Sequence, residues 1–169
     1  MKLLLLTAAF AVSAWPQQPS FVNEGVVNAP VAEVWKVFST SEGYKAVGVA
    51  LAEVDLRIGG VIRSRYSADG VLGDEETIEN VVLAYEPPRM IAIRIQKPPR
   101  TFPFKEAWKR IWTVLTLTDA GSDRTHIRVA SMGFDEEAES QAMRRFFEAG
   151  NQQTIETLQK YFDTRKAAR

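Results

Sequence analysis

The C-terminal third of the chain constrains the fold most, because it predicts one long amphipathic helix. Between Glu136 and Phe162 the sequence has no proline and a single glycine. Apolar residues and two small polar residues recur there at spacings of three and four, which places them on one helical face. That face consists of Met143, Phe147, Asn151, Thr154, Leu158 and Phe162. The apolar face of a helix of this length needs a long apolar surface to pack against.

A β-sheet is the predicted partner of this helix. Segments of alternating or apolar character, bounded by turn residues, predict strands at 21–28, 50–58, 61–67, 77–85, 90–96, 111–118 and 125–132. After the first strand, Pro30 suits a first helical turn, and residues near Tyr44 predict a second short helix. The order predicts an α+β helix-grip fold: a curved antiparallel sheet of about seven strands around the long C-terminal helix.

Such a sheet leaves space beside the helix that side chains do not fill, so we expect an apolar pocket there. Alternation along the strand at 61–67 turns Ser64 and Tyr66 towards the helix. The predicted pocket residues are Ser64, Tyr66, Trp108, Phe147, Asn151, Thr154 and Leu158. Asn151 and Thr154 are polar residues on an apolar face, so they either bond a ligand or water or pair with a neighbouring strand.

The long connection at 97–110, KPPRTFPFKEAWKR, is the other candidate part of the pocket. Connections of this length are often binding loops. Phe102, Phe104 and Trp108 could cover an apolar ligand, and we place Trp108 near the pocket mouth. The alternative is a packed connection whose lysine and arginine stems lie along the surface.

Several kinds of function are disfavoured by composition. The formal net charge is +0, so we expect no nucleic-acid partner. The chain has no cysteine and one histidine, His126, which alternation places on the outer side of the sheet with Arg128. We therefore predict no metal, no cofactor and no catalytic residue. The acidic runs at 74–76 and 135–139 are typical of solvated surface.

Four motifs in order resemble the SRPBCC superfamily, which includes START, birch-pollen-allergen and polyketide-cyclase proteins. They are NAPVAEVW at 28–35, VDLRIGG at 54–60, YEPPR at 85–89 and GF at 133–134. The resemblance is closest to homologues of the C-terminal domain of the activator of a heat-shock chaperone ATPase. It implies a helix-grip fold over 21–162. The chain has Gly150-Asn151 where that family often has Gly-Trp, and it has Tyr44 instead of the family's tryptophan in the second helix.

The N-terminus is typical of a secretory signal. Lys2 precedes the apolar run 3–12, which is too short to span a bilayer, and Ser13-Ala14 provides small residues for cleavage. We expect a signal peptide at 1–14, a linker at 15–20, the helix-grip domain at 21–164 and a tail at 165–169. The product is then exported, periplasmic or secreted. Since no cysteine follows the cleavage point, we expect no stable membrane anchor.

Three functions remain open from the sequence. The favoured one is an exported protein that binds a small apolar or amphipathic molecule, such as a lipid, because the predicted pocket has few polar groups. A protein-interaction domain like the chaperone activator is the second, although an exported protein would not meet a cytoplasmic chaperone. A cyclase- or dehydratase-type enzyme is the third and lacks an evident acid–base pair.

Export is directly testable. N-terminal sequencing of the protein recovered from outside the host cytoplasm should begin near Trp15, because cleavage is expected after Ala14. Recovery of only a cytoplasmic product that retains Met1 would contradict the signal-peptide prediction.

Overall fold

The computed structural model describes residues 21–167; the predicted signal peptide and linker, and residues 168–169, lie outside them. The strands are β1 (Phe21–Val27), β2 (Leu51–Val54), β3 (Val61–Arg65), β4 (Ile78–Glu86), β5 (Met90–Lys97), β6 (Trp112–Asp119) and β7 (Thr125–Met132). The helices are α1 (Val31–Ser39), α2 (Ser41–Tyr44) and α3 (Ala138–Ala167), with short 3₁₀ helices at Lys45–Val47 and Ala107–Arg110. This is the predicted α+β helix-grip fold.

One antiparallel sheet holds all seven described strands, in the order β1-β7-β6-β5-β4-β3-β2. Consecutive strands from β2 to β7 are neighbours, while β1 pairs with the last strand. The chain therefore places its first strand and its last strand side by side, next to α3. Strands β4 and β5 carry two register irregularities, which bend a sheet locally.

The second strand is shorter than predicted. It ends at Val54 and not at 58, because the next residues form a tight turn in which Arg57 N donates to Asp55 O (3.0 Å) and Gly60 N donates to Arg57 O (2.8 Å). A Cβ at Gly60 would lie 2.2 Å from Asp55 O, so only glycine fits there. Ile58, which was predicted to lie in the second strand, lies instead on this turn and is 71% exposed.

Helix α3 lies across the concave side of the sheet and packs mainly on β1. At their crossing, a Cβ on Gly25 would lie 2.4 Å from Ile155 Cγ2, so the glycine permits a very close approach. Ile155, Leu158 and Phe162 are buried in one core cluster with residues of α1, β6 and β7. The helix extends to Ala167, into the segment predicted as a tail.

A second core cluster lies near the start of α3. Met143 packs there with Phe21, Ala107, Ile111 and Phe134. Phe134 is fully buried, and its ring centroid is 5.3 Å from that of Phe21. The helix is thus held to the sheet at two separate points along its length.

The burial of Phe134 gives a stability prediction. Phe134→Ala should lower the free energy of unfolding by about 3–5 kcal/mol, because it leaves a cavity in a packed core. Phe146→Ala removes the same atoms from a side chain that is 50% exposed, and should cost clearly less. Reversible chemical denaturation of both variants measures the difference. Equal losses would contradict the burial assigned to Phe134.

Candidate functional site: a cavity between the sheet and the C-terminal helix

A cavity of about 520 Å³ lies between α3 and the concave face of the sheet. Its size is within the range of small-molecule pockets. The sheet contributes inward-facing aliphatic side chains, among them Ile62, Ile91, Ile93, Leu115, Ile127 and Val129. The cavity arises because α3 lies at the β1 side, so the inner faces of β3 to β5 have no helix against them.

Six of the seven predicted pocket residues line this cavity: Ser64, Tyr66, Phe147, Asn151, Thr154 and Leu158. Leu158 and Ser64 are buried, at 0% and 4% exposed. Tyr66 is 70% exposed, so it lies at the rim. The structure therefore brings these residues together, and their role in binding a ligand stays a prediction.

Trp108, the seventh predicted pocket residue, does not line the cavity. The residue lies in the 3₁₀ helix Ala107–Arg110, and its indole N–H donates to Lys105 O (3.0 Å). Its ring packs against the second core cluster, with Phe21 and Phe134. The 3₁₀ turn directs the ring into this cluster, a direction that loop composition does not reveal.

The loop 98–106 reaches the cavity through its first half, where Pro98, Pro99, Thr101, Phe102 and Pro103 are lining residues. Phe102 packs edge-to-face against Phe146 of α3, with ring centroids 5.9 Å apart. Phe104 also meets Phe146, at 5.6 Å. Of the three aromatic residues predicted to cover a ligand, only Phe102 lines the cavity, beside Phe146 and Phe147 of α3.

Hydrogen bonds hold this loop in place towards both ends. At its start, Lys97 Nζ donates to Asp74 O (2.6 Å) and Thr101 Oγ1 donates to Glu76 (2.7 Å). At its end, the Glu139 carboxylate accepts the backbone N–H groups of Lys105 and of Glu106. Hydrogen bonds from these backbone groups, first that of Lys105, lower the pKa of Glu139. The loop thus has a defined position over the cavity.

The lining carries no Asp, Glu, Lys, Arg or His among the described residues. The polar groups of the lining side chains are therefore hydroxyls, amides and the indole N–H of Trp112. Tyr44, which sequence reasoning did not place in the pocket, lines it from α2. Burial, and then the nearby Tyr66, raise the pKa of Tyr44 to about 12.

His126 lies on the opposite side of the sheet, as predicted. Its Nε2 is 4.0 Å from Glu24, and Arg128 approaches the same carboxylate. The neighbouring residues Ile127 and Val129 line the cavity. Residues 21–167 contain no cluster of three or more potential metal-ligating side chains. No helix in that range is both long and apolar enough to cross a membrane.

The comparison with known families agrees with this architecture. The family model described as "Activator of Hsp90 ATPase homolog 1-like protein" matches residues 28–163. The chain belongs to this family. The match spans most of the helix-grip domain and confirms the resemblance to SRPBCC proteins. No curated protein matches the chain.

Solved structures with the same fold are similar over most of the chain. A protein from Mesorhizobium loti has 20% identity and a TM-score of 0.66, covering 86% of this chain and 98% of that one. The Aha1 dimer from Colwellia psychrerythraea has 10% identity and a TM-score of 0.59, covering 83% and 96%. An HSP90 activator from Plasmodium falciparum has 14% identity and a TM-score of 0.51, covering 70% and 75%. At these identities, the likeness establishes the shared fold.

The raised pKa of Tyr44 predicts an alkaline loss of stability. An unfolded tyrosine ionises near its ordinary pKa of 10.0, whereas folded Tyr44 ionises at about 12. The contribution of un-ionised Tyr44 to the free energy of unfolding is thus complete below pH 10 and is lost as the pH rises towards 12. Denaturation at successive pH values should show the free energy of unfolding falling more steeply in the native protein than in Tyr44→Phe. Parallel curves would contradict the environment assigned to Tyr44.

Proposed function

We propose that this protein binds a small apolar or amphipathic molecule in the cavity between α3 and the sheet. The observation that carries the proposal is the 520 Å³ of space walled mainly by aliphatic and aromatic side chains. Protein interiors are normally packed to the density of organic crystals, so an apolar space of this size is unusual in a core that serves stability alone. A ligand that fills it gains about 25 cal/mol per Å² of apolar surface removed from water.

The cavity walls also give a ligand a route of entry. Tyr66 and Phe146 both line the cavity and are 70% and 50% exposed, so the space opens to solvent at these side chains. Phe146 contacts Phe102 of the loop 98–106 rather than the packed core. We infer that a lipophilic molecule, including a lipid, enters past this aromatic contact.

Export is part of the same proposal and rests on the N-terminal sequence. Lys2, the apolar run 3–12 and Ser13-Ala14 form the pattern of a secretory signal. A periplasmic or secreted protein with an apolar cavity is suited to carry or sequester a molecule that dissolves poorly in water.

A second candidate function is interaction with a protein partner. It is favoured by the family description, and by the structural likeness to an HSP90 activator from Plasmodium falciparum. Under this candidate, addition of the purified protein should raise the ATPase rate of a heat-shock chaperone from the same host. Under the binding proposal, native mass spectrometry of the purified protein should instead show a co-purified lipophile.

Filling the cavity from α3 tests the binding proposal. Asn151→Trp places a large ring in the space and removes the hydrogen bond to Ser131, so the folded variant should be less stable and should bind a fluorescent lipophile on the order of 10-fold more weakly. Gln153→Trp is the matched control, because Gln153 is exposed on the same helix and does not line the cavity. It should bind like the native protein.

Titration of the lipophile into the three proteins measures the effect, with circular dichroism and thermal melting to confirm folding. Equal affinities in all three, or no binding by the native protein, would contradict the proposed site. If Asn151→Trp fails to fold, Ile93→Phe fills the same cavity from the sheet side and provides the same comparison.

A further inference from the structure

The hydroxyl- and amide-bearing side chains of the cavity fall into two groups. Eight such residues line it: Tyr44, Ser64, Tyr66, Asn80, Thr101, Thr113, Asn151 and Thr154. Four are hydrogen-bonded within the protein, and the other four have no side-chain hydrogen bond among the described residues. This division shows which wall has hydrogen-bonding capacity left for a ligand.

The paired group lies on α3, β6 and the loop 98–106. Asn151 Nδ2 donates to Ser131 Oγ (3.3 Å), and Ser131 Oγ in turn is 3.2 Å from Thr113 Oγ1. Thr154 Oγ1 donates to Gly150 O (3.0 Å), one helical turn earlier. With Thr101 bound to Glu76, these polar groups are held by the protein itself. These bonds take up part of their hydrogen-bonding capacity, although no partner is seen for Asn151 Oδ1 among the described residues.

The unpaired group is Tyr44, Ser64, Tyr66 and Asn80. These residues lie together on one wall, formed by α2, β3 and β4. Ser64 pairs with Ile78 across the strands and Ile62 pairs with Asn80, so Ser64 and Asn80 are diagonal neighbours on the inner face. Tyr66 follows Ser64 by two residues, and it is close enough to Tyr44 to affect its ionisation.

Ser64 is the strongest indication that this wall meets a ligand. Its side chain is 4% exposed, faces the cavity and has no hydrogen-bond partner among residues 21–167. A hydroxyl that faces the cavity without a protein partner keeps its hydrogen-bonding capacity for a molecule bound there. Asn80 is half-buried, and its amide nitrogen and oxygen likewise have no partner among the described residues.

The charges near the cavity point away from it. Arg65 alternates with Ser64 along β3, is buried and pairs with Asp74, and Arg100 pairs with Glu75 (2.8 Å). No charged side chain of the described chain lines the cavity. An ionised ligand group inside the cavity, beside Ser64, would therefore lose its hydration without gaining a counter-ion, which is unfavourable.

We propose that the ligand is an uncharged amphiphile whose neutral oxygen-containing group, such as a ketone, ester or alcohol, is held by Tyr44, Ser64, Tyr66 and Asn80. Its apolar body extends along the isoleucines of β5 towards α3. This inference rests on the proposed binding function and specifies the class of molecule. The two tyrosine hydroxyls donate to the ligand oxygen, and Asn80 and Ser64 can donate or accept.

Four naphthalene probes of similar size separate the contributions of a neutral carbonyl, of charge and of the apolar ring to binding. 2-Acetylnaphthalene carries a neutral carbonyl, 2-ethylnaphthalene replaces it with a methylene, 2-naphthoate is an anion at about pH 8, and 2-naphthylmethylammonium is a cation. Displacement of a fluorescent lipophile measures their affinities for the native protein. We expect the ketone to bind most tightly, and both ions on the order of 100-fold more weakly or not at all.

Variants of the polar wall test which side chains hydrogen-bond to the ketone probe. Tyr44→Phe and Tyr66→Phe remove one hydroxyl each at nearly constant volume, and should each weaken 2-acetylnaphthalene about 2- to 10-fold without changing 2-ethylnaphthalene. Tyr85→Phe is the matched control, because Tyr85 does not line the cavity. Asn80→Leu provides the same test without altering a tyrosine.

The outcomes distinguish the two proposals. If 2-ethylnaphthalene binds as well as the ketone, and the variants change neither, the polar wall is not a recognition site and only this inference is overturned. Tight binding of either ion overturns it as well. If no probe and no fluorescent lipophile binds, the proposed function itself fails. Selective loss of the ketone in the tyrosine and Asn80 variants, with Tyr85→Phe unchanged, supports the inference.

Discussion

The close contact between α3 and β1 determines the architecture of the site. Gly25 lets Ile155 approach to a distance that any larger residue would block. The helix consequently lies over the edge of the sheet where β1 meets β7, with Leu158 and Phe162 buried beside α1. The inner faces of β3, β4 and β5 are left without a helix against them. The cavity is thus a direct result of where the helix can touch the sheet.

Charge and polarity are arranged around this space in a consistent way. Ionised groups are paired outside it, as in Arg65 with Asp74 and in Glu139 with the backbone of the loop 98–106. Inside, Thr113, Ser131 and Asn151 hydrogen-bond to one another, whereas the polar side chains on the wall of β3 and β4 have no side-chain partner among the described residues. A cavity built like this favours neutral ligands, because desolvating an ion there has no compensation. The unpaired hydroxyl and amide groups lie on one wall of the cavity, where hydrogen bonds to them can orient an amphiphile.

The local patterns predicted much of the site. Spacings of three and four placed Asn151 and Leu158 on the inner face of α3, and alternation placed Ser64 inside and His126 outside. The predictions failed where a turn redirects a side chain. Trp108 belongs to a 3₁₀ helix and packs, half-buried, against the second core cluster, and the tight turn that begins at Asp55 ends β2 early. The sequence did not place Tyr44 and Asn80 in the pocket, since nothing in the neighbouring residues indicates which polar side chains lack a hydrogen-bond partner.

The sequence by itself determined the element order, the amphipathic face of α3 and the family, since all three depend on residue types at short, regular spacings. Tertiary structure decided the volume of the cavity, the aromatic contact between Phe102 and Phe146, and which polar side chains have partners. These properties depend on contacts between residues far apart in the chain. Whether Ser64 and Asn80 are satisfied is a matter of which atoms come within hydrogen-bond distance, and only the folded arrangement of α3 against the sheet sets those distances.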